Sequence, residues 1–97
     1  MQYKLRELES FKAWRESIRD RRARVAIARR VERVQNGNFG DHESVGGGVS
    51  ELRVHVGAGY RVYFTIREKE LVILLAGGDK KSQKADIKYA KKLAAEI

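Results

Sequence analysis

Cysteine is absent from this 97-residue chain, and only two histidines are present. Without cysteine there is no disulfide and no thiolate to serve as nucleophile or ligand, which fits an intracellular, cytoplasmic protein. Two histidines leave too few donors for a transition-metal site, which usually gathers three or four clustered ligands. The expectation is therefore chemistry without a metal or other cofactor. Long apolar runs are also missing. The longest, Leu71 to Ala76, has the length of a strand, whereas a membrane helix needs roughly 20 residues. The start, Met1-Gln2-Tyr3-Lys4, carries no apolar stretch of the signal-peptide kind. Neither a membrane nor a secretory route is expected.

What is present is charge. Hydrophobic residues make up 42% and charged residues 35%, the balance of a globular protein with one core, so residues 1–97 are read as a single domain. The net charge of +8 is uneven. Residues 1–34 hold 11 Lys/Arg against 5 Asp/Glu, residues 35–76 hold 4 against 5, and residues 77–97 hold 6 against 3. A small domain this basic has the electrostatic footprint of a protein that meets phosphates, although excess charge also serves solubility.

Periodicity divides the chain. Tyr3 to Arg6 alternates as a first strand would. Leu8, Phe11, Trp14 and Ile18 recur at helical spacing behind Ser10 as N-cap. After a break at Asp20-Arg21, Ala23, Ile27, Val31 and Val34 form a second helical stripe, ended by Asn36-Gly37-Asn38. Residues 36–48 hold five glycines and read as a loop. Their Gly46-Gly47-Gly48 run lacks the lysine of a P-loop and reads as a flexible lead-in to a strand. Two period-2 runs, from Val49 and from Tyr60, flank Gly57-Ala58-Gly59 and predict a hairpin. Glu70 to Ala76 is apolar on both sides, as a central strand would be, and Gly77-Gly78 closes it. Asp79 or Ser82 then caps a last helix with Ile87, Ala90, Leu93, Ala94 and Ile97 as its apolar positions. The expected architecture is α+β, in the order β-α-α-β-β-β-α. Two N-terminal helices pack on one face of an antiparallel sheet, and a short helix ends the chain.

A hairpin turning about Ala58 pairs His55 with Arg61, Arg53 with Tyr63 and Glu51 with Thr65. All six side chains then share the face opposite the core. Lys80 and Lys81 follow the neighbouring strand and reach its rim. Such a set suits phosphodiester cleavage. Arginine grips phosphate oxygens and offsets transition-state charge. His55 or Glu51 could take a proton from a ribose 2′-hydroxyl, and His55 or Lys80 could protonate the leaving oxygen. Tyr63 could stack on a base. The plain alternative is a solvated cationic face in which Glu51 simply pairs with an arginine.

Gly57-Ala58-Gly59-Tyr60-Arg61-Val62-Tyr63-Phe64, followed by Leu74-Leu75-Ala76-Gly77-Gly78-Asp79-Lys80-Lys81-Ser82-Gln83, resembles the RelE/ParE toxin superfamily. More narrowly it is similar to the phage-derived addiction-module killer proteins of the HigB-like branch, as are Gly37-Asn38-Phe39-Gly40 and Val49-Ser50-Glu51-Leu52-Arg53. The likeness spans roughly residues 3–95. It implies a RelE-like fold and a ribosome-dependent mRNA endoribonuclease, the toxin of a type II toxin–antitoxin system. By motif position Arg61 is the arginine at the scissile phosphate, Lys80 another cation of the site, and Arg53 a basic residue of the preceding strand. His55 joins them as a catalytic candidate. Tyr63, Lys81, Arg67 and Tyr89 are candidates for RNA contact. The implied partners are a cognate antitoxin of helix-turn-helix type, the ribosome and mRNA, with DNA reached only through the antitoxin. Two alternatives stand beside this: a ParE-like gyrase poison without nuclease activity, and a basic module that docks RNA or ribosome without cutting.

Overall fold

The computed structural model describes residues 2–97. Helix α1 (Glu9–Ser17) buries Phe11 and half-buries Trp14; Leu8 holds the N-cap position, so the expected cap Ser10 lies inside the helix, where its hydroxyl donates to the Leu75 carbonyl at 2.6 Å. Helix α2 (Arg21–Gln35) begins where the Asp20 carboxylate accepts from the Arg22 N–H at 2.9 Å. It buries Ala23, Ile27, Val31 and Val34, the stripe that the sequence showed. Its end is set by Gly37 at φ +88°. Gly37 N–H reaches the Val34 carbonyl and Asn38 N–H reaches that of Arg33, the paired bonds of a Schellman ending.

Five strands form one mixed sheet: β1 (Lys4–Glu7), β2 (His42–Gly46), β3 (Val49–Val54), β4 (Tyr60–Arg67) and β5 (Leu71–Asp79), in the order β1-β5-β4-β3-β2. The chain therefore departs from the expected antiparallel β-α-α-β-β-β-α order in two ways. Strand β1 runs parallel to β5, because the α1–α2 excursion returns the chain to the far side of the sheet. The segment expected to be a loop also contains β2, a short polar edge strand paired with β3 through a glycine turn. Gly47 and Gly48, at φ +63° and +76°, are the two turn residues rather than a flexible lead-in.

The β3–β4 register differs from the expected one by two residues. Arg53 faces Arg61, Glu51 faces Tyr63 and Val49 faces Thr65, because the turn takes in residues 55–59. A slip of two preserves which face each side chain occupies, so the predicted division of faces survives. On one face α1 and α2 pack Phe11, Ile27 and Val34 against Leu52, Val62, Phe64 and Leu74.

The other face is not open as expected. Helix α3 (Gln83–Glu96) lies on it, and its small Ala90 and Ala94 pack with Val49, Tyr63, Ile73 and Leu75 in a second core. A bulge in β5, between the Tyr63–Ala76 and Phe64–Leu74 pairs, puts both Leu75 and Ala76 into that second core. The sheet is thus a middle layer; α3 packs on β3, β4 and β5, and the end near the 55–59 turn stays uncovered by it. Among the described residues no helix is long and apolar enough to cross a membrane.

Candidate active site

At that uncovered end, Arg53 of β3, His55 and Gly59 of the turn, Arg61 of β4, and Lys80 just beyond β5 line one hollow of about 190 Å³. Each position follows from the topology. Arg53 and Arg61 are register partners, Arg61 is in turn paired with Gly78, and two residues past Gly78 the chain reaches Lys80. Gly59, at φ +83°, brings the turn close: a Cβ there would sit 3.5 Å from Lys80 Cε. Asp79 accepts from the Lys81 and Ser82 N–H groups at 2.9 and 3.3 Å and holds the bend that presents Lys80. Ser82 occupies the N-cap position of α3, but its hydroxyl donates to Asp86.

Three carboxylates share this end of the molecule with the cations. Arg53 contacts all three: Nη1 lies 3.4 Å from Asp41 Oδ1, Nη2 pairs with Glu43, and Nε lies 3.3 Å from Glu51 Oε1. The Glu43 hydrogen bond above all keeps the Arg53 guanidinium firmly protonated. His55, 72% exposed, meets Asp41 Oδ2 at 2.5 Å. That bond, helped by the Arg53 charge, holds the Asp41 carboxyl below the usual aspartate range. Asp41 and Glu43 flank and begin β2, and reading that stretch as a loop missed both. The signal for them was the Gly47-Gly48 pair, a two-residue hairpin turn that implies a strand on each side.

Arg61 is held differently. Its side chain is 13% exposed, and its Nε lies 3.5 Å from Glu51 Oε2. Glu51 itself is 1% exposed, sealed between the sheet and α3. It cannot take a proton from a substrate in the hollow, so the role of base expected of it from the sequence is closed to it. Tyr63 is equally buried and donates its hydroxyl to Glu51 Oε2 at 3.0 Å. Burial, with the Glu51 charge next, pushes its phenol well above its ordinary value. Stacking on a nucleobase, expected of Tyr63 from the sequence, is sterically closed to it.

The remaining predicted contacts scatter. Arg67 sits at the far end of β4, about 20 Å from Arg61 at the strand rise, and donates to the Ala94 carbonyl at 2.6 Å near the end of α3. Lys81 is exposed beside the hollow without lining it. Tyr89, 46% exposed on α3, also lies outside its lining. The sequence-derived four, Arg53, His55, Arg61 and Lys80, are brought together; Tyr63, Lys81, Arg67 and Tyr89 are not.

Comparison with known proteins adds the lineage. The chain is 49% identical over 88 residues to an uncharacterized protein of Haemophilus influenzae, covering 91% of this chain and 89% of that one. Its fold matches that of the E. coli toxin RelE, solved in the free state as a mutant, with a TM-score of 0.69 over 99% of this chain and 97% of that one. Identity to RelE is 19%, so that likeness speaks for the fold alone. Residues 9–96 match the model of the family described as phage-derived protein Gp49-like (DUF891), and the chain belongs to that family.

Proposed function

We propose that this protein is the toxin of a type II toxin–antitoxin pair, a HigB-like, metal-independent endoribonuclease that cuts mRNA on the ribosome. The observation that carries the reading is the hollow in which two guanidiniums, an imidazole and an ammonium converge at the uncovered end of the sheet. The RelE-like fold and the phage-derived family support it.

In this reading a backbone phosphate enters the hollow and its non-bridging oxygens meet the outer nitrogens of Arg61. The ribose 2′-oxygen attacks phosphorus and loses its proton as the P–O5′ bond breaks. The leaving 5′-oxygen gains a proton, and a 2′,3′-cyclic phosphate remains. His55 is placed for one of the two proton transfers and Lys80 stands beside the leaving group. Arg61 and Arg53 offset the charge that accumulates on the pentavalent phosphorus, the larger part of the rate gain. Arg53 does so once phosphate has displaced Asp41 and Glu43 from its Nη nitrogens. The partners in this reading are a small helix-turn-helix antitoxin and the ribosome, both in the cytoplasm.

Mapping transcript ends in growth-arrested cells tests this. The wild-type chain should give new 5′ ends inside coding regions. Arg61→Ala, shown to be folded by its circular dichroism at the assay temperature, should reduce them on the order of 10²-fold, as loss of a preorganised anion-binding donor does. Arrest with DNA breaks and intact transcripts would instead mark a gyrase poison, and arrest with neither would mark a basic module that only docks.

A further inference from the structure

Four polar groups converge on one carboxylate beneath α3. Glu51 Oε2 accepts from Tyr63 Oη at 3.0 Å and from Gln83 Nε2 at 2.9 Å, Oε1 accepts from Arg53 Nε at 3.3 Å, and Arg61 Nε stands 3.5 Å from Oε2. Burying a charge this completely is costly unless cations and donors surround it. A site that needed only stability would be served as well by an apolar side chain of similar size.

The two arginines use the carboxylate unequally. Arg53 turns its outer nitrogens to Asp41 and Glu43, so its charge is already answered in the free protein. Arg61 makes no other ion pair among the described residues. Its Nε is closed off from solvent without a hydrogen bond, and the side chain lines the hollow. An inner edge pressed toward Glu51 and an outer fork without a carboxylate is the orientation a phosphate needs.

We propose that Glu51 is a positioning residue: from beneath α3 it holds the inner edge of Arg61 so that the outer guanidinium nitrogens face the phosphate of bound RNA. Tyr63 and Gln83 fix the carboxylate in turn, which makes the docking of α3 part of the site's order. The role in cutting rests on the nuclease reading above, whereas the grip on Arg61 can be read without RNA.

The test therefore has two arms. In the first, proton exchange at Arg61 Nε–H is followed by NMR in the wild type and in Glu51→Gln. The wild-type signal should be protected and distinct from those of the exposed arginines of α2, and Glu51→Gln should erase that protection. A wild-type Nε–H exchanging as fast as the exposed arginines overturns the proposal. In the second, single-turnover cutting of ribosome-bound mRNA is measured in a cycle of Glu51→Gln and Arg61→Ala. Glu51→Gln should slow cutting on the order of tenfold to a hundredfold in the wild-type background, the range that misplacement of a reacting group produces. In the Arg61→Ala background it should have less than about a twofold effect, because the arginine through which it acts on cutting is gone and Arg53 keeps Asp41 and Glu43. Equal losses in both backgrounds would reveal a merely structural role and overturn the proposal. Should Glu51→Gln fail to fold, Gln83→Ala removes one support from the edge of α3, and its smaller loss should vanish in the same background. Protection at Arg61 Nε–H with no cutting by the wild type would sink the nuclease reading while leaving the grip on Arg61 in place.

Discussion

A Cβ on Gly77 would lie 2.3 Å from the Trp14 ring, and one on Gly78 would lie 1.8 Å from Asp86 Oδ2. The double glycine, expected to close a strand, is instead inside β5, where both faces of the strand are approached closely. Tryptophan comes from the α1 side and the first turns of α3 from the other. Gly77→Ala should cost about 1–3 kcal/mol in denaturant unfolding, the range of overpacked cores. Gly78→Ala should cost less, since the Asp86 carboxylate is the far end of a side chain that can swing away. Equal costs would contradict this account of the motif. Asp41 supplies a pH test. Its folded pKa lies below the ordinary aspartate value of 3.8. What its pairing adds to stability is therefore complete above that value and is lost as pH falls through the lowered one. NMR titration should show the depressed carboxyl, and His55→Ala should bring it back toward 3.8. An Asp41 that titrates normally would remove the contact.

The helical stripes were legible because each repeats four apolar positions at a single period, and the hairpin because two alternating runs flank a glycine turn. Strand β2 was not legible: His42-Glu43-Ser44-Val45 buries little, and it is held mainly by its ladder with β3 and by pairs such as Arg53–Glu43. The cover supplied by α3 was also missed. The helix itself was foreseen, but only its packed partners reveal that Ala90 and Ala94 admit it onto a sheet face that looked polar in sequence. That cover converts Glu51 and Tyr63 from surface candidates into buried supports. As an element, β2 and the residue before it lay two carboxylates, Glu43 and Asp41, against the cations of the hollow. Replacing both, as Asp41→Asn with Glu43→Gln, should tighten binding of a short uncleavable RNA by about threefold to tenfold at low salt. The gain should shrink as salt rises, because these groups are exposed. Weaker binding by the double variant would show that the carboxylates order the site rather than compete for it.

Across the whole molecule the charge of +8 is not concentrated in the hollow. Arg53, Arg61 and Lys80 are matched there by Asp41, Glu43 and Glu51, three against three, while much of the excess lies on the exposed arginines of α2 and the lysines near and along α3. In the proposed reading, long-range attraction to RNA belongs to the outer helices, and the hollow becomes cationic as phosphate displaces the exposed carboxylates. The composition announced the positive excess, but it could not show this division, which depends on β2 folding back onto β3. The most direct test is the cutting of ribosome-bound mRNA by the purified protein under single turnover, with the chemistry of the new ends identified. The account predicts 2′,3′-cyclic phosphate and 5′-hydroxyl ends, formed on the order of 10²-fold more slowly by Arg61→Ala. Intact mRNA with the wild type, or equal rates for both proteins, would contradict it.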